Sequence, residues 1–315
     1  MRVVRQLADL PSDARGGAVA IGNFDGVHRG HAQIVAKLLE RARESTGPAV
    51  VFTFDPHPVR LLRPELAPPP LTWTERKAEL LAALGVDWMI AYPTDEALLR
   101  LSARDFFDRI VRNSLDARAM VEGPNFYFGK GREGTIDVLR DFTAEAGMTL
   151  DIVSPVEAAG GMVSSSRIRK LIIDEGAVGP AREMLTAAYR VRGLVTHGAG
   201  RGGKLGFPTA NLEGIDTLLP AHGVYAGLAV IDGAGRPAAV HVGPNPTFGE
   251  EFTKVEVHVI DYEQALYGQT LEVDFLERMR DIRPFESVDQ LLVQLRQDVA
   301  KAEAIGRRFL DSLAG

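Results

Sequence analysis

The sequence predicts an α/β protein in two parts: an N-terminal doubly wound, Rossmann-like parallel sheet and a C-terminal closed β-barrel with a terminal helix. Three observations carry this. The chain has 315 residues, which suggests two domains at about 100–200 residues each. Its first half alternates short β-rich runs with amphipathic helical stretches. Its second half is β-rich, punctuated by Gly and Pro, and closes on one long helical pattern.

In the first half the expected strands are Ala18–Ile21, Ala49–Phe54, Trp88–Tyr92, Ala119–Glu122 and Leu150–Val153. Between them, His31–Arg43 carries Ile34, Val35, Leu38, Leu39 and Ala42 on one stripe. Thr74–Leu84 does so with Leu80, Leu81 and Leu84, and Ser102–Leu115 with Phe106, Phe107, Ile110 and Val111. Strand–helix–strand repetition implies parallel pairing with right-handed crossovers. Such sheets bind ligands at the carboxyl ends of their strands, near a switch point. Gly22–His31, which follows the first of these strands, is expected at that edge. In the second half the expected strands are Tyr189–Thr196, Gly223–Ile231, Ala238–Val242, Lys254–Asp261 and Thr270–Leu276, followed by a helix from Ser287 to about Leu313. The division is expected at 1–184 and 185–315, with the boundary inside Gly179–Ala188.

Composition excludes several classes. Lys and Arg number 36 against 42 Asp and Glu, for a net charge of −6. That argues against a sequence-independent nucleic-acid binder. No apolar run is long enough to span a membrane, and Met1–Gln6 lacks the apolar stretch of a signal peptide. Cysteine is absent, which removes disulfides, thiolate metal sites and cysteine nucleophiles. A cytoplasmic protein acting on small molecules is the expectation; oligomeric state is not legible.

Three segments carry chemistry. In Gly22-Asn23-Phe24-Asp25-Gly26-Val27-His28-Arg29-Gly30-His31, two histidines three residues apart lie where a loop meets a helix. Gly30 lets backbone approach a ligand, and the helix N-terminus offers N–H groups to a phosphate. A zinc pair or two surface histidines are the alternatives. Ser164-Ser165-Ser166-Arg167-Ile168-Arg169 opens a helical stretch, where a serine run alone is more commonly a helix cap. In the second half, Gly198-Ala199-Gly200-Arg201-Gly202-Gly203-Lys204-Leu205-Gly206-Phe207-Pro208-Thr209-Ala210-Asn211 can wrap a polyphosphate with backbone N–H groups. Thr209 and Asn211 offer neutral oxygens to magnesium.

The first segment resembles the G-x-F-D-G-x-H-x-G-H signature of the nucleotidyltransferase superfamily, and the serine–arginine segment its I-S-S-T-x-x-R element. Phe52-Thr53-Phe54-Asp55-Pro56-His57-Pro58 and Glu122-Gly123-Pro124-Asn125-Phe126-Tyr127-Phe128-Gly129-Lys130-Gly131-Arg132-Glu133-Gly134 resemble segments of bacterial FAD synthetases. The glycine loop through Asn211 resembles the riboflavin kinase signature. Gly223–Gly227, Val242–Phe248, Val255-Glu256-Val257-His258 and Leu266–Gly268 resemble that family's later segments. The chain thus resembles the bacterial bifunctional riboflavin kinase/FMN adenylyltransferases over nearly its whole length.

The resemblance implies a nucleotidyltransferase domain followed by a riboflavin kinase barrel. It implies ATP, riboflavin and FMN as substrates, with Mg2+ as cofactor. Glu256 would be the kinase base, with Gly198, Gly200, Arg201, Gly202, Lys204, Gly206, Pro208, Thr209 and Asn211 around Mg–ATP. His28, His31 and Arg169 would be catalytic in adenylyl transfer. Gly22, Asn23, Phe24, Asp25, Gly30, Ser164, Ser165, Ser166 and Arg167 would bind its ATP, and Pro56, His57, Pro58, Asn125 and Phe128 its flavin. A member with one degenerate site and a non-enzymatic flavin-binding regulator are the alternatives. The sequence departs from the family pattern at Leu185–Tyr189, at Pro124 and Tyr127, and at His241, where Asn is common.

Overall fold

The structure, a computed structural model, describes residues 1–198, 201–245 and 252–314, with backbone alone at 201, 204 and 314. The chain forms two compact units, 1–69 with 73–164 and 70–72 with 165–315.

The first unit holds a six-stranded sheet from β1 (Arg2–Val4), β2 (Ala18–Ile21), β3 (Ala49–Phe54), β4 (Trp88–Tyr92), β5 (Ala119–Glu122) and β6 (Thr149–Ile152). Its order is β1-β4-β3-β2-β5-β6, and every pairing is parallel. From β2 the chain steps outward through β3 and β4, and from β5 it steps the other way to β6. The switch point therefore lies between β2 and β5. Alternate residues feed two cores, one on each face. Val19, Ile21, Val50, Phe52, Ile90 and Met120 pack on one side; Ala18, Ala20, Val51, Met89 and Val121 pack on the other. A sheet covered on both faces is why its strands read as continuous apolar runs rather than alternations.

Its helices are α1 (Arg29–Glu44), α2 (Pro58–Leu62), α3 (Thr74–Ala83), α4 (Glu96–Leu99), α5 (Ala103–Phe106) and α6 (Ile136–Glu145). The stretch read as one helix over Ser102–Leu115 starts as α5, capped by the Ser102 hydroxyl accepting from Asp105 N (3.0 Å), and continues in π-helical turns over Phe107–Ser114. The edge strand β1 and helix α6 were not expected. β1 has only 3 residues, too few for a period to register. A two-stranded ribbon, β7 (Glu157–Ala158) with β8 (Gly161–Met162), follows the sheet.

The second unit begins with α7 (Ser165–Lys170) and α8 (Val178–Met184), the latter occupying part of the expected boundary. Then come β9 (Tyr189–Thr196), the short α9 (Arg201–Lys204), β10 (Ala210–Glu213), β11 (Gly223–Ile231), β12 (Ala234–Gly243), β13 (Lys254–Val259), β14 (Thr270–Arg280) and α10 (Val288–Ala314). The strands close into an antiparallel barrel ordered β10-β13-β12-β11-β14-β9. Tyr225, Val240, Val257, Val273 and Phe275 are buried. On the outer face, Ala226, Leu228 and Leu276 pack with Ala302 and Ile305 of α10. The buried Asp298 of α10 accepts from Arg280 Nε and Nη2 at 3.0 and 2.7 Å, fixing the helix to the end of β14. β10 was not expected, because Pro208–Asn211 reads as loop chemistry.

Candidate active sites

In the first unit, Gly22–His31 leaves the carboxyl end of β2 at the switch point. The loop adopts left-handed backbone at Phe24 (φ 47°) and Val27 (φ 40°), which is strained for a β-branched residue. Tertiary bonds hold it there. Gly22 N donates to Phe52 O (3.0 Å). Asn23 O accepts from Thr53 Oγ1 (3.0 Å) and from the buried Lys77 Nζ (2.7 Å). Gly22, Asn23, Phe24, Asp25, His28, Gly30 and His31 are thus one connected segment. Asn23 Oδ1 is buried with no partner among the described residues, an acceptor left for a ligand.

His28 is the N-cap of α1, and the two histidines cap each other. His31 N donates to His28 Nδ1 (3.3 Å), and His28 N donates to His31 Nδ1 (3.2 Å). Their rings stack with centroids 3.6 Å apart at 12°. This arrangement fixes the tautomer. Both Nδ1 atoms accept, so each neutral ring carries its proton on Nε2 and keeps that N–H as a donor. Burial pushes the His28 pKa down to about 4, against smaller opposing effects of its own backbone and Asp25. His31 is also held well below the usual range, by burial first and then by His28 and Lys77. Two neutral donors beside the N-terminus of a 16-residue helix are chemically suited to an anion.

Lys77 was missed by the sequence reading. Burial lowers its pKa, opposed by Asp25 and Asp55. The available signal was its spacing, four residues before the buried Leu81 on the inner face of α3.

The other sequence-singled residues of this unit are dispersed. Pro56, His57 and Pro58 follow β3, and His57 Nδ1 caps α2 by accepting from Val59 N (3.1 Å). Asn125 is exposed beyond β5. Phe128 is 6% exposed and packs among Phe106, Phe126 and Phe142. Ser164 ends the first unit, while Ser165, Ser166, Arg167 and Arg169 lie in α7 of the second.

In the second unit the decisive feature is strand register. Asn211 of β10 lies directly opposite Thr196 of β9 and Glu256 of β13. Glu256 in turn lies opposite His241 of β12. Directly opposed residues share a face, so Thr196, Asn211, Glu256 and His241 form one polar row. Val255, Val257 and Val259, the alternate residues of β13, are buried on the other face. Glu256 Oε1 accepts from Asn245 Nδ2 (3.1 Å). Burial lowers the His241 pKa, opposed first by Glu256. Its Nε2–H faces the carbonyls of Gly243 and Pro244, each at 3.2 Å, which ties back the loop that carries Asn245.

The glycine loop is shaped for close approach. A Cβ on Gly198 would stand 2.2 Å from Asn211 Nδ2, and one on Gly202 would stand 2.4 Å from Phe207 O. His258 Nδ1–H donates to Pro208 O (2.8 Å), anchoring the loop just before Thr209. Gly200 lies outside the described residues, as do Pro246, Thr247 and Phe248; Arg201 and Lys204 are described by backbone only, in α9. Gly206 closes the loop before Pro208. Thr209 lines a cavity of about 240 Å³ with Val195, Val257, Val259, Leu266 and Tyr267. A second groove, of about 680 Å³, is lined by Arg283, Phe285, Gln290 and Val293 at the start of α10. The sequence reading did not anticipate it, because its lining comes from a turn and one helix face. Among the described residues no group of three or more His, Cys, Asp or Glu side chains could hold a metal. Thr196 Oγ1, opposite Asn211, is buried without a partner among those residues, so the oxygens present fit a cation that brings phosphate ligands with it.

Two separate phosphate-suited sites, on two unrelated architectures, define the class as a two-site phosphate-transfer enzyme. Comparison with known proteins agrees. Residues 10–167 match the FAD synthetase family and residues 185–306 match the riboflavin kinase family. The bifunctional riboflavin kinase/FMN adenylyltransferase of Pseudomonas fluorescens is 36% identical over 97% of this chain and 98% of its own length. That of Escherichia coli (strain K12) is 32% identical over 95% and 96%, and that of Bacillus subtilis (strain 168) 33% over 94% and 93%. A solved structure described as a macrolide-efflux protein from Streptococcus pneumoniae superposes with a TM-score of 0.83 at 32% identity, covering 97% of this chain and 98% of that one. Among the described residues of this chain, no helix is long and apolar enough to cross a membrane. The chain belongs to the bifunctional riboflavin kinase/FMN adenylyltransferase family, and is an enzyme of flavin biosynthesis with two catalytic domains. Membership implies ATP, riboflavin and FMN as substrates and use of Mg2+.

Proposed function

We propose that residues 185–315 phosphorylate riboflavin with Glu256 as base, and that residues 1–184 adenylylate the product with His28 and His31 as hydrogen-bond donors to the phosphates. The observation that carries the reading is the register that sets Glu256 opposite Asn211, because it joins a carboxylate to the end of the glycine loop. In the kinase reaction the ribityl 5′-oxygen bonds to the γ-phosphorus as the bond to the β-phosphate oxygen breaks. Glu256 takes the hydroxyl proton, and Asn245 fixes which oxygen stays free for it. Thr209 and Asn211 would hold magnesium, which when bound neutralises phosphate charge. Gly198, Gly202 and Gly206 let the loop backbone close on the phosphates. The cavity beside Thr209, walled by Val195, Val257 and Val259 with Gln264 and Tyr267 at its polar side, suits a purine base, and the groove lined by Phe285 and Arg283 suits a flavin ring.

In the second reaction an FMN phosphate oxygen bonds to the α-phosphorus of ATP, and pyrophosphate leaves. The attacking group is already an anion, so no base is needed. Catalysis rests on positioning and on donors aimed at developing charge. The Nε2–H groups of His28 and His31 and the N-terminus of α1 supply these. Assignment of Ser164, Ser165, Ser166, Arg167 and Arg169 to the phosphates, and of Pro56, His57, Pro58, Asn125 and Phe128 to the flavin, rests on the resemblance alone. Both reactions use ATP, in keeping with the expected cytoplasmic setting.

One incubation tests the reading. With riboflavin and Mg–ATP, FMN is expected first and FAD later. A chain that converts only one of the two substrates would leave one site without its assigned chemistry.

A further inference from the structure

We propose that Glu122 is a positioning residue for adenylyl transfer: its side-chain carboxyl spaces β2 from β5 and so holds open the crevice in which Gly22–His31 lies. The proposal rests on the adenylyl-transfer reading above.

Glu122 is the last residue of β5 and is 3% exposed. The two strands at the switch point pair only briefly. Their ladder covers Ala18 with Ala119 and Val19 with Met120, then stops, two residues before β2 ends. On the other flank, β2 pairs with β3 through all four of its residues. Beyond the break, Ile21 N donates to Glu122 Oε1 at 2.8 Å. A side-chain acceptor has replaced a main-chain one.

That replacement has a geometric consequence. A backbone acceptor requires neighbouring strands about 4.8 Å apart. An oxygen carried on two methylenes satisfies the same N–H without that approach. β2 therefore ends between unequal supports. Gly22 N on Phe52 O holds it against β3, and the Thr53 and Lys77 bonds to Asn23 O reinforce that flank. On the β5 flank the Glu122 side chain holds the Ile21 amide. The loop that follows is strained at Phe24 and Val27, so a released Ile21 would let it relax and move the histidine pair. Burial also pushes the Glu122 carboxyl well above the usual range, with the Ile21 N–H pulling the other way. A neutral acid keeps its carbonyl oxygen as acceptor without burying a charge. Gln has the same reach and the same acceptor, whereas Asp is one methylene short.

The test uses the full chain and three variants. Two readouts are taken: hydrogen exchange at the Ile21 amide, and steady-state conversion of FMN to FAD. In Glu122→Gln the amide is expected to stay protected and kcat to remain within about threefold, a change of under about 0.7 kcal/mol. In Glu122→Asp and Glu122→Ala protection is expected to fall. Their kcat is expected to drop by about 10- to 100-fold, as for misplaced reacting groups, with KM for ATP changing less. Riboflavin phosphorylation should be unchanged in all three and reports that the second unit is folded, while protected amides in β3 and β4 report the same for the first unit. An active Glu122→Asp beside an inactive Glu122→Gln would overturn the proposal in favour of a role for negative charge. Wild-type kcat and an unchanged Ile21 amide in Glu122→Ala would remove the role altogether. If the unaltered chain makes no FAD from FMN, the functional reading fails, and Ile21 exchange still decides whether Glu122 holds the strand.

Discussion

The two sites are assembled in opposite ways. At the adenylyltransferase site the anion-binding groups are neighbours in sequence. His28 and His31 stand three residues apart and become a unit through a helix cap, a local device. At the kinase site Asn211, His241, Asn245 and Glu256 come from separate strands and loops and meet only through barrel register. The difference teaches where each site is fragile. The first depends on one turn and its anchors, the second on the alignment of whole strands.

The sharpest way to break the comparison is to disable one site and read the other. Glu256→Gln removes the base and should lower riboflavin phosphorylation by about 10²–10⁴-fold, while FMN adenylylation continues. His31→Ala should do the reverse, lowering adenylylation by about 10²–10³-fold, the scale for one preorganised donor. Separate assays with riboflavin and with FMN check both. If either change abolished both activities in a folded chain, the two-site assignment would be wrong.

A subtler change probes the close approach in the barrel. Gly198→Ala puts a Cβ where Asn211 Nδ2 stands, so the Asn211 side chain must move. The expected result is a rise in KM for Mg–ATP of about tenfold, equivalent to about 1.4 kcal/mol, with no effect on FMN adenylylation. Titration of Mg–ATP against the kinase rate measures it.

A further effect, on stability rather than on turnover, concerns acid. His28 has a folded pKa of about 4 against 6.5 in the unfolded chain. Between those values the unfolded state binds more protons. The stability contributed by the neutral ring is full above pH 6.5 and is lost as pH falls towards 4, by up to about 3 kcal/mol. Glu122, raised by burial, acts in the opposite sense, since its contribution fades as pH rises. Urea unfolding from pH 7 to 4.5 in the Glu122→Gln chain isolates the histidine contribution. A flat profile there would show that the folded histidines take up protons as readily as the unfolded chain does, so that the capped pair does not hold its rings neutral.

Much of this was legible in the sequence. Ala18–Ile21, Ala49–Phe54, Trp88–Tyr92 and Ala119–Glu122 are strands where apolar runs predict them, because burial on both faces leaves an unbroken signature. β12 runs longer than Ala238–Val242, since Gly235 and Pro237 mask its first half. Lys77 and Glu122 escaped notice for a related reason. A charged residue in sequence reads as surface, and nothing local says that its neighbours will close over it. His241 looked like an unexplained departure until strand pairing set it opposite Glu256.

By itself the sequence determined what short-range physics controls: strand and helix positions, the histidine pair at a helix start, and the glycine loop with its Thr–Asn end. Tertiary structure alone decided which distant residues became neighbours. It put Glu122 under Ile21, Lys77 under Asn23, and Glu256 beside both Asn211 and His241. The physical reason is that a helix cap is satisfied within one turn of chain, whereas a cross-strand pair exists only once register is set by the packing of the whole sheet.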